Sequence, residues 1–318
     1  MAEVGRVLVT GGAGYLGSHL CETLLERGHA VRVLDNLSTG RREALASCEG
    51  SAGFEFHEAD LLRGSLGEFL EDCETVVHLA ANQDVRRALT DTGADFHQNV
   101  EATYRLLEAM RGNGPSRLIF TSTSTVYGEA SVVPTPEDYA PLAPISLYGA
   151  TKLAGEAMVS AFAHTYGLQA VVFRLANVVG GRSTHGVVYD LVQKLLGNPR
   201  ELEILGREPG TKKSYVYIDD WIGAVLEGWR AAEGAFTVFN VGSEDQVTVK
   251  EIADSATEAM ELRGVQYRWT GGVEEGRGWK GDVRDMWLDV GKLKKTGWRP
   301  AFTSRQAVRQ AAADLLAS

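Results

Sequence analysis

The chain of 318 residues has little cysteine: only Cys21, Cys48 and Cys73. An odd, sparse set without metal-type spacing excludes a disulfide framework and points to a reducing compartment. Long apolar runs are also missing, and none approaches the ~20 residues that a membrane span requires. The start, MAEVGRVLVTGGAG, lacks the basic beginning and apolar core of a secretion signal. A cytoplasmic location is therefore expected. Positive charge is in deficit, with 32 Lys and Arg against 42 Asp and Glu, a net charge of −10. That deficit argues against nucleic acid or an anionic membrane as partner, while leaving room for a local phosphate pocket. Internal repeats and low-complexity tracts are absent. No tryptophan precedes residue 221, and the six from there onward are expected to serve packing. His57, His97, His164 and His185 share no ligand spacing, so no metal is assigned.

What is present is the composition of a globular protein, 44% hydrophobic and 23% charged, long enough for one large or two small domains. Apolar runs at 6–10, 30–35, 54–57, 75–80, 117–122 and 170–175 alternate with amphipathic stretches such as 17–27, 94–111 and 148–166. Strands alternating with helices imply an α/β fold, its parallel sheet covered on both faces. After Asn177 the pattern loosens. Helices are predicted at 187–196, 221–232 and 248–262, with short strands at ELEIL and 237–241. We expect residues 1–176 to form a dinucleotide-binding domain. Residues 177–318 should form a smaller mixed α/β substrate lobe, with some segments returning to the sheet.

The first strand runs into TGGAGYLG, whose glycines fall at 11, 14 and 17, and a helix opens there. Gly11 and Gly14 let the backbone turn and approach a pyrophosphate. Gly17 lets the helix pack close to the strand, and the helix N-terminus faces the anion. Asp35 ends the next strand, 18 residues after Gly17. A carboxylate there accepts hydrogen bonds from ribose hydroxyls and repels a 2′-phosphate, which favours NAD over NADP. Arg41 and Arg42 nearby soften that preference. The expected scaffold is thus a Rossmann-type doubly wound sheet. Asp60 and Leu61 follow the third strand and could meet the adenine. HLAAN, 78–82, ends the fourth strand, where a dinucleotide would pass; His78 itself is expected to be packed and hydrogen-bonded.

Tyr148 and Lys152 lie four apart in a helical stretch, on one face. A tyrosine of pKa ~10 is a poor base at neutral pH, but a neighbouring ammonium favours its phenolate. Such a pair can take a proton from a hydroxyl while hydride leaves the same carbon.

GGAGYLG, DNLSTG, HLAAN, STSTVYG, YGATK, FRLANVVG, YVYIDD and FNVGS, in this order, resemble the extended short-chain dehydrogenase/reductases. Among these the sequence is most similar to nucleotide-sugar 4-epimerases of the UDP-galactose type. The resemblance implies bound NAD and a UDP-sugar substrate, Thr123 as the Ser/Thr partner of Tyr148 and Lys152, and a homodimer built on stretches 94–111 and 148–166. It extends the cofactor contacts to Tyr15, Leu16, Asn36, Ser38, Leu79, Ala80, Ala81, Asn99 and Ser122. On the substrate side it implies Ser124, Asn177 for the diphosphate, and Val187 and Val188 near the base. Lys213 stands where the family has Arg. The family's Arg-x-Gly-Asp reads Trp279-Lys280-Gly281-Asp282 here, which leaves Lys213, Arg277 and Lys280 as alternative diphosphate cations. Met286 aligns with the position that limits room for an N-acetyl group. Arg86 and Arg182 raise the option of a hexuronate, and Asp219 and Asp220 are expected to cap and pack.

Ser124-Thr125 occupies the place where related 4,6-dehydratases carry an Asp-Glu pair and related decarboxylases a Glu at the second position. Without those carboxylates, elimination lacks its acid and base, and epimerisation at C4 through a 4-keto sugar is the expected reaction. Three alternatives stay open: an epimerase for UDP-N-acetylglucosamine or UDP-glucuronate, a related dehydratase, decarboxylase or reductase, and a non-catalytic dinucleotide-binding member.

Overall fold

The computed structural model describes residues 5–83 and 87–317. Six strands appear in the first part of the chain: β1 (Arg6–Thr10), β2 (Val31–Asp35), β3 (Phe54–Glu58), β4 (Cys73–His78), β5 (Arg117–Thr123) and β6 (Gln169–Leu175). A seventh, Phe236–Val241, returns from late in the chain to the sheet edge, giving the order Phe236–Val241, β6, β5, β4, β1, β2, β3. The pairs β1–β2, β1–β4, β2–β3 and β4–β5 are parallel. Central strands such as VRVLD and RVLVT are buried on both faces, which is why they read as continuous apolar runs. The chain order reverses between β1 and β4, which stay paired to Thr10 and His78, so the connections that leave their carboxyl ends run in opposite directions and leave a crevice there.

The chain divides into two compact units. The first comprises 1–122, 147–173 and 228–238. Its core packs Leu8, Val76 and Phe120 of the sheet against Leu106, Leu107 and Met110 of helix Ala102–Asn113 and Val159 and Ala163 of helix Leu147–Tyr166. Residues 94–111 are not the uninterrupted α-helix their periodicity predicts. The chain forms Thr92–Asp95, then a π-helical turn at Phe96–Glu101, then helix Ala102–Asn113. Tertiary partners account for the break: the amide of Asn99, inside the π turn, is held by Asn82 and Thr151.

The second unit comprises 123–146, 174–227 and 239–318. Helices Val187–Gly197, Val249–Ala259 and Ser304–Ala317 share one core, with Leu191, Ile252 and Val308 fully buried. Thr248 and Glu251 form a reciprocal capping box that starts the second of these. That helix ends short of the predicted residue 262, because Glu261 adopts a left-handed conformation at φ 56°. Three small sheets complete the unit, one of them joining Lys212–Lys213 to Val247–Thr248 and Asp285–Met286.

Candidate functional site

The crevice begins at β1. Gly11 has φ 70°, and a Cβ there would lie 2.7 Å from the backbone nitrogen of Ala80 at the end of β4. A Cβ on Gly17 would lie 2.3 Å from the carbonyl of Gly11. Glycine is therefore required at both positions for the loop to turn and for helix Tyr15–Glu26 to approach the strand. That helix carries Tyr15, Leu16 and Gly17 in its first turn, and its N-cap, Gly14, provides no side-chain hydrogen bond to it. Its leading N–H groups are thus left without a side-chain cap next to Gly14, which lines the groove, an arrangement suited to an anion.

The groove is lined by ten of the residues that the sequence offered as cofactor contacts, Gly11, Gly14, Asp35, Asn36, Ser38, Asp60, Leu61, Leu79, Ala80 and Ala81, and also by Gln83 and Gln98, which it did not offer. Gln83 follows the end of β4 and Gln98 lies inside the π-helical turn, and neither carries a local signature. Asp35 is buried, and its carboxylate accepts the N–H of Ala13 at 2.9 Å and of Leu37 at 2.8 Å. Burial raises its pKa; the two backbone donors oppose that shift. A lone pair remains on each oxygen for a ribose hydroxyl. Arg42 is turned to other partners: Nε donates to Glu49 at 3.0 Å and the guanidinium lies 4.4 Å from the centre of the Phe56 ring. These donors, the glycine cradle and the strand-end carboxylate fit NAD.

Lys152 is buried in the same unit, with Nζ 4.5 Å from the centre of the Phe120 ring. Loss of hydration pulls its pKa down to about 8, and the charge of Glu156 opposes this. Tyr148 lies one turn earlier on helix Leu147–Tyr166 and is half-buried. His78 is packed, as predicted, with Nδ1 2.7 Å from Thr10 Oγ1 and Nε2 3.0 Å from Thr103 Oγ1. Burial and the charge of Lys152 depress its pKa to about 3, so it is a neutral imidazole. Ser122 Oγ is buried without a hydrogen-bond partner among the described residues.

In the second unit, Thr123 Oγ1 accepts from the N–H and the hydroxyl of Thr125 at 3.2 and 3.1 Å. Its own proton is left to donate. Ser124 is buried beside it in a short 3₁₀ turn. Lys213 pairs with Asp282, which is 2% exposed, and lies 5.2 Å from the centre of the Trp279 ring. Arg277 bonds Glu129 and the carbonyl of Asp282. Two of the three alternative cations therefore meet at Asp282, whereas Lys280 is exposed. Met286 is buried and pairs in register with Lys213. Asn177 donates to the carbonyl of Ser214 at 3.2 Å, and Val187 and Val188 open helix Val187–Gly197. Asp220 packs as expected, accepting the N–H groups of Ala301 and Phe302. Arg182 is exposed, and Arg86 lies outside the described residues.

Fold and groove together define a dinucleotide-binding α/β protein. The chain belongs to the NAD dependent epimerase/dehydratase family, which matches residues 7–242. It is 36% identical over 316 residues to UDP-glucose 4-epimerase of Mycolicibacterium smegmatis, covering 95% of this chain and 96% of that one. A crystal structure of UDP-galactose 4-epimerase superposes with a TM-score of 0.87 at 43% identity, covering 98% of both chains. Thermus thermophilus UDP-glucose 4-epimerase, solved in complex with NAD, gives 0.85 at 34% identity, covering 97% of this chain and 98% of that one. Among the described residues no helix is long and apolar enough to cross a membrane, and no cluster of His, Cys, Asp and Glu could hold a metal.

Proposed function

We propose that the protein is an NAD-dependent UDP-sugar 4-epimerase that interconverts UDP-glucose and UDP-galactose through a 4-keto sugar. The observation that carries this reading is the buried Lys152 one helical turn from Tyr148, in the same unit as the groove of Gly11, Gly14 and Asp35. Bound NAD would supply a reversible hydride acceptor for C4. Asp35 would hold the ribose, and the helix N-terminus at Gly14 the pyrophosphate. Gly17, Asn36, Ser38, Asp60, Leu61, Leu79, Ala80 and Ala81 would shape the rest of the first unit's groove. The ammonium of Lys152 favours the phenolate of Tyr148, which takes the proton from the 4-hydroxyl. Thr123 is assigned to hydrogen-bond the reacting oxygen by resemblance. A 4-keto sugar that is held by its nucleotide and free to turn would offer its other face to the returning hydride, while Tyr148 gives the proton back to the C4 oxygen.

Three further observations support the reading. The first is Ser124-Thr125, which offers no carboxylate for elimination. The second is the similarity to UDP-glucose and UDP-galactose 4-epimerases over nearly the whole chain. The third is the cluster of Lys213, Asp282 and Arg277 in the second unit, which suits a diphosphate, with Asn177, Val187 and Val188 assigned to the nucleotide by resemblance. We also read the protein as a cytoplasmic homodimer. In support, the three cysteines are all buried and free, and Phe96 and Tyr104 leave about half of their surface exposed on the first unit.

Proton NMR of the purified protein with UDP-galactose and no added cofactor tests this. Growth of UDP-glucose signals to a stable ratio is expected. No change with this sugar, but conversion of UDP-N-acetylglucosamine or UDP-glucuronate, would move the assignment to that sugar. A product altered at C6 would replace epimerisation by elimination or decarboxylation.

A further inference from the structure

Beneath the groove a hydrogen-bonded chain joins β1 to the Tyr148–Lys152 helix, entirely within the first unit. Thr10, the last residue of β1, places Oγ1 2.7 Å from His78 Nδ1. His78 Nε2 lies 3.0 Å from Thr103 Oγ1. The Thr103 hydroxyl donates to the carbonyl of Asn99 at 2.7 Å, inside the π-helical turn. Asn99 Oδ1 accepts the N–H of Asn82 at 2.8 Å, and Nδ2 donates to Thr151 Oγ1 at 3.1 Å. The Thr151 hydroxyl donates to the carbonyl of Tyr148 at 3.0 Å. His78, Asn99 and Thr103 are each 1% exposed.

Every proton in this chain has one place. Thr103 gives its only hydroxyl proton to Asn99, so toward His78 it can only accept, and Nε2 carries the imidazole proton. Nδ1 then accepts from Thr10. The N–H of Ala80 reaches Thr10 Oγ1 at 3.4 Å, which agrees with that direction. Asn99 is fixed in the same way, because its neighbours are a donor on one side and a hydroxyl already committed to Tyr148 on the other. A buried polar chain of this kind gives modest net stability, since an apolar side chain of similar shape would avoid the desolvation. Its distinctive effect is geometric: directional bonds in a low dielectric hold two elements in a single register.

We propose that His78 is a positioning residue for the reaction, acting through Thr103, Asn99 and Thr151 to fix the backbone turn that carries Tyr148 and Lys152 relative to the end of β1. The proposal rests on the reading of Tyr148 and Lys152 as the proton-transfer pair. It also assigns a role to the π-helical turn, whose local change of pairing accompanies the two bonds made by Asn99.

Paired variants separate positioning from bulk stability. In His78→Asn the amide falls where Nδ1 is and reaches only Thr10. In His78→Gln it reaches the Nε2 position and keeps Thr103. Thr103→Val deletes the hydroxyl at constant shape, and Thr103→Ser keeps it. Steady-state turnover of UDP-galactose by each NAD-loaded protein is compared with its melting midpoint. Misplacing a catalytic group by about 1 Å can cost on the order of a hundredfold. His78→Asn and Thr103→Val should lose about tenfold or more in kcat with little change in KM, and His78→Gln and Thr103→Ser should recover most of it. A second readout needs no sugar: the ultraviolet titration of the Tyr148 phenolate, taken as the difference from Tyr148→Phe in the same background. Its midpoint should rise in His78→Asn and Thr103→Val only. Losses that follow the melting midpoint, or unchanged kcat and phenolate titration in those two variants, would overturn the proposal. If the wild type turned over no UDP-sugar, the assigned activity would fall and the titration alone would decide the positioning role.

Discussion

Lys152 Nζ sits 4.5 Å from the centre of the Phe120 ring, and both side chains are closed off from solvent. Gly155, one turn along the helix, makes room for that ring: a Cβ there would lie 2.8 Å from Phe120 Cζ. The ammonium exchanges water for an aromatic face and the charge of Glu156, and loss of hydration wins, with a pKa of about 8. The folded protein therefore binds fewer protons than the unfolded chain between about pH 8 and the ordinary lysine value of ~10.4. Stability attributable to this group rises with pH through that window and is lowest below it. Lys152→Met should thus raise the melting midpoint at pH 7, and the gain should shrink toward pH 10. The same variant should lose on the order of a hundredfold or more in kcat. Calorimetry across pH on both proteins checks the first claim, and a gain independent of pH would refute it.

Asp35 predicts cofactor choice. Its carboxylate is oriented by Ala13 and Leu37, while Arg42 is occupied by Glu49 and Phe56. Asp35→Asn replaces one acceptor oxygen by a donor and removes the repulsion toward a 2′-phosphate. NAD affinity should fall about tenfold, as for the loss of a charge-assisted hydrogen bond. Discrimination against NADP should fall with it. Adding Glu49→Ala, which releases Arg42, should improve NADP binding further only in the Asp35→Asn background. Titration calorimetry of the four proteins with both dinucleotides decides the matter; equal NADP affinity throughout would exclude Arg42 from any such role.

The groove was legible because its signals are local. Glycines at 11, 14 and 17 after an apolar strand, and a carboxylate ending the next strand, have few other physical uses. Tyr148 and Lys152 were legible from helical spacing, and Thr123 only from resemblance. The π turn at Phe96–Glu101 was not, because its cause lies in Asn82 and Thr151, far along the chain from Asn99. His78 gave a partial signal, a polar residue ending an apolar strand, but its two threonine partners come from other elements. The meeting of Lys213 with Asp282 spans 69 positions, and no periodicity encodes it.

Gly17 tests the cradle itself. Gly17→Ala drives a Cβ to 2.3 Å from the Gly11 carbonyl and 2.6 Å from the Gly12 Cα, both rigid backbone. Relief requires the helix to move off β1, at a cost of about 1–3 kcal/mol for overpacking. Because that shift also withdraws the N–H groups at Gly14, NAD affinity should fall more than stability alone explains. Gly28→Ala is the control. Gly28 ends the same helix at φ 86° with no atom within 4 Å, so its strain is purely conformational. It should lower the melting midpoint while leaving NAD binding intact. Equal loss of NAD binding in both variants would show that general destabilisation, and not the cradle, is responsible.

Lys213 and Asp282 form a nearly closed ion pair over the Trp279 ring, with side-chain exposures of 14% and 2%. Removing one partner strands the other charge, and breaking a buried pair in this way costs about 3–5 kcal/mol. Asp282→Leu should therefore destabilise the protein more than Lys213→Met does, since a stranded lysine keeps its charge beside an apolar group while a stranded aspartate still accepts the N–H of Gly278 at 3.3 Å. The kinetic order should be the reverse. If Lys213 is the cation that meets the diphosphate, Lys213→Met should raise KM for the UDP-sugar at least tenfold with a smaller effect on kcat, and Lys213→Arg should restore part of it. Arg277 is held by Glu129 and the Asp282 carbonyl, so Arg277→Met should act mainly on the geometry of the loop. Measuring KM, kcat and melting midpoint for all four variants separates the cases. A KM shift in Arg277→Met exceeding that in Lys213→Met would assign the diphosphate to Arg277 instead.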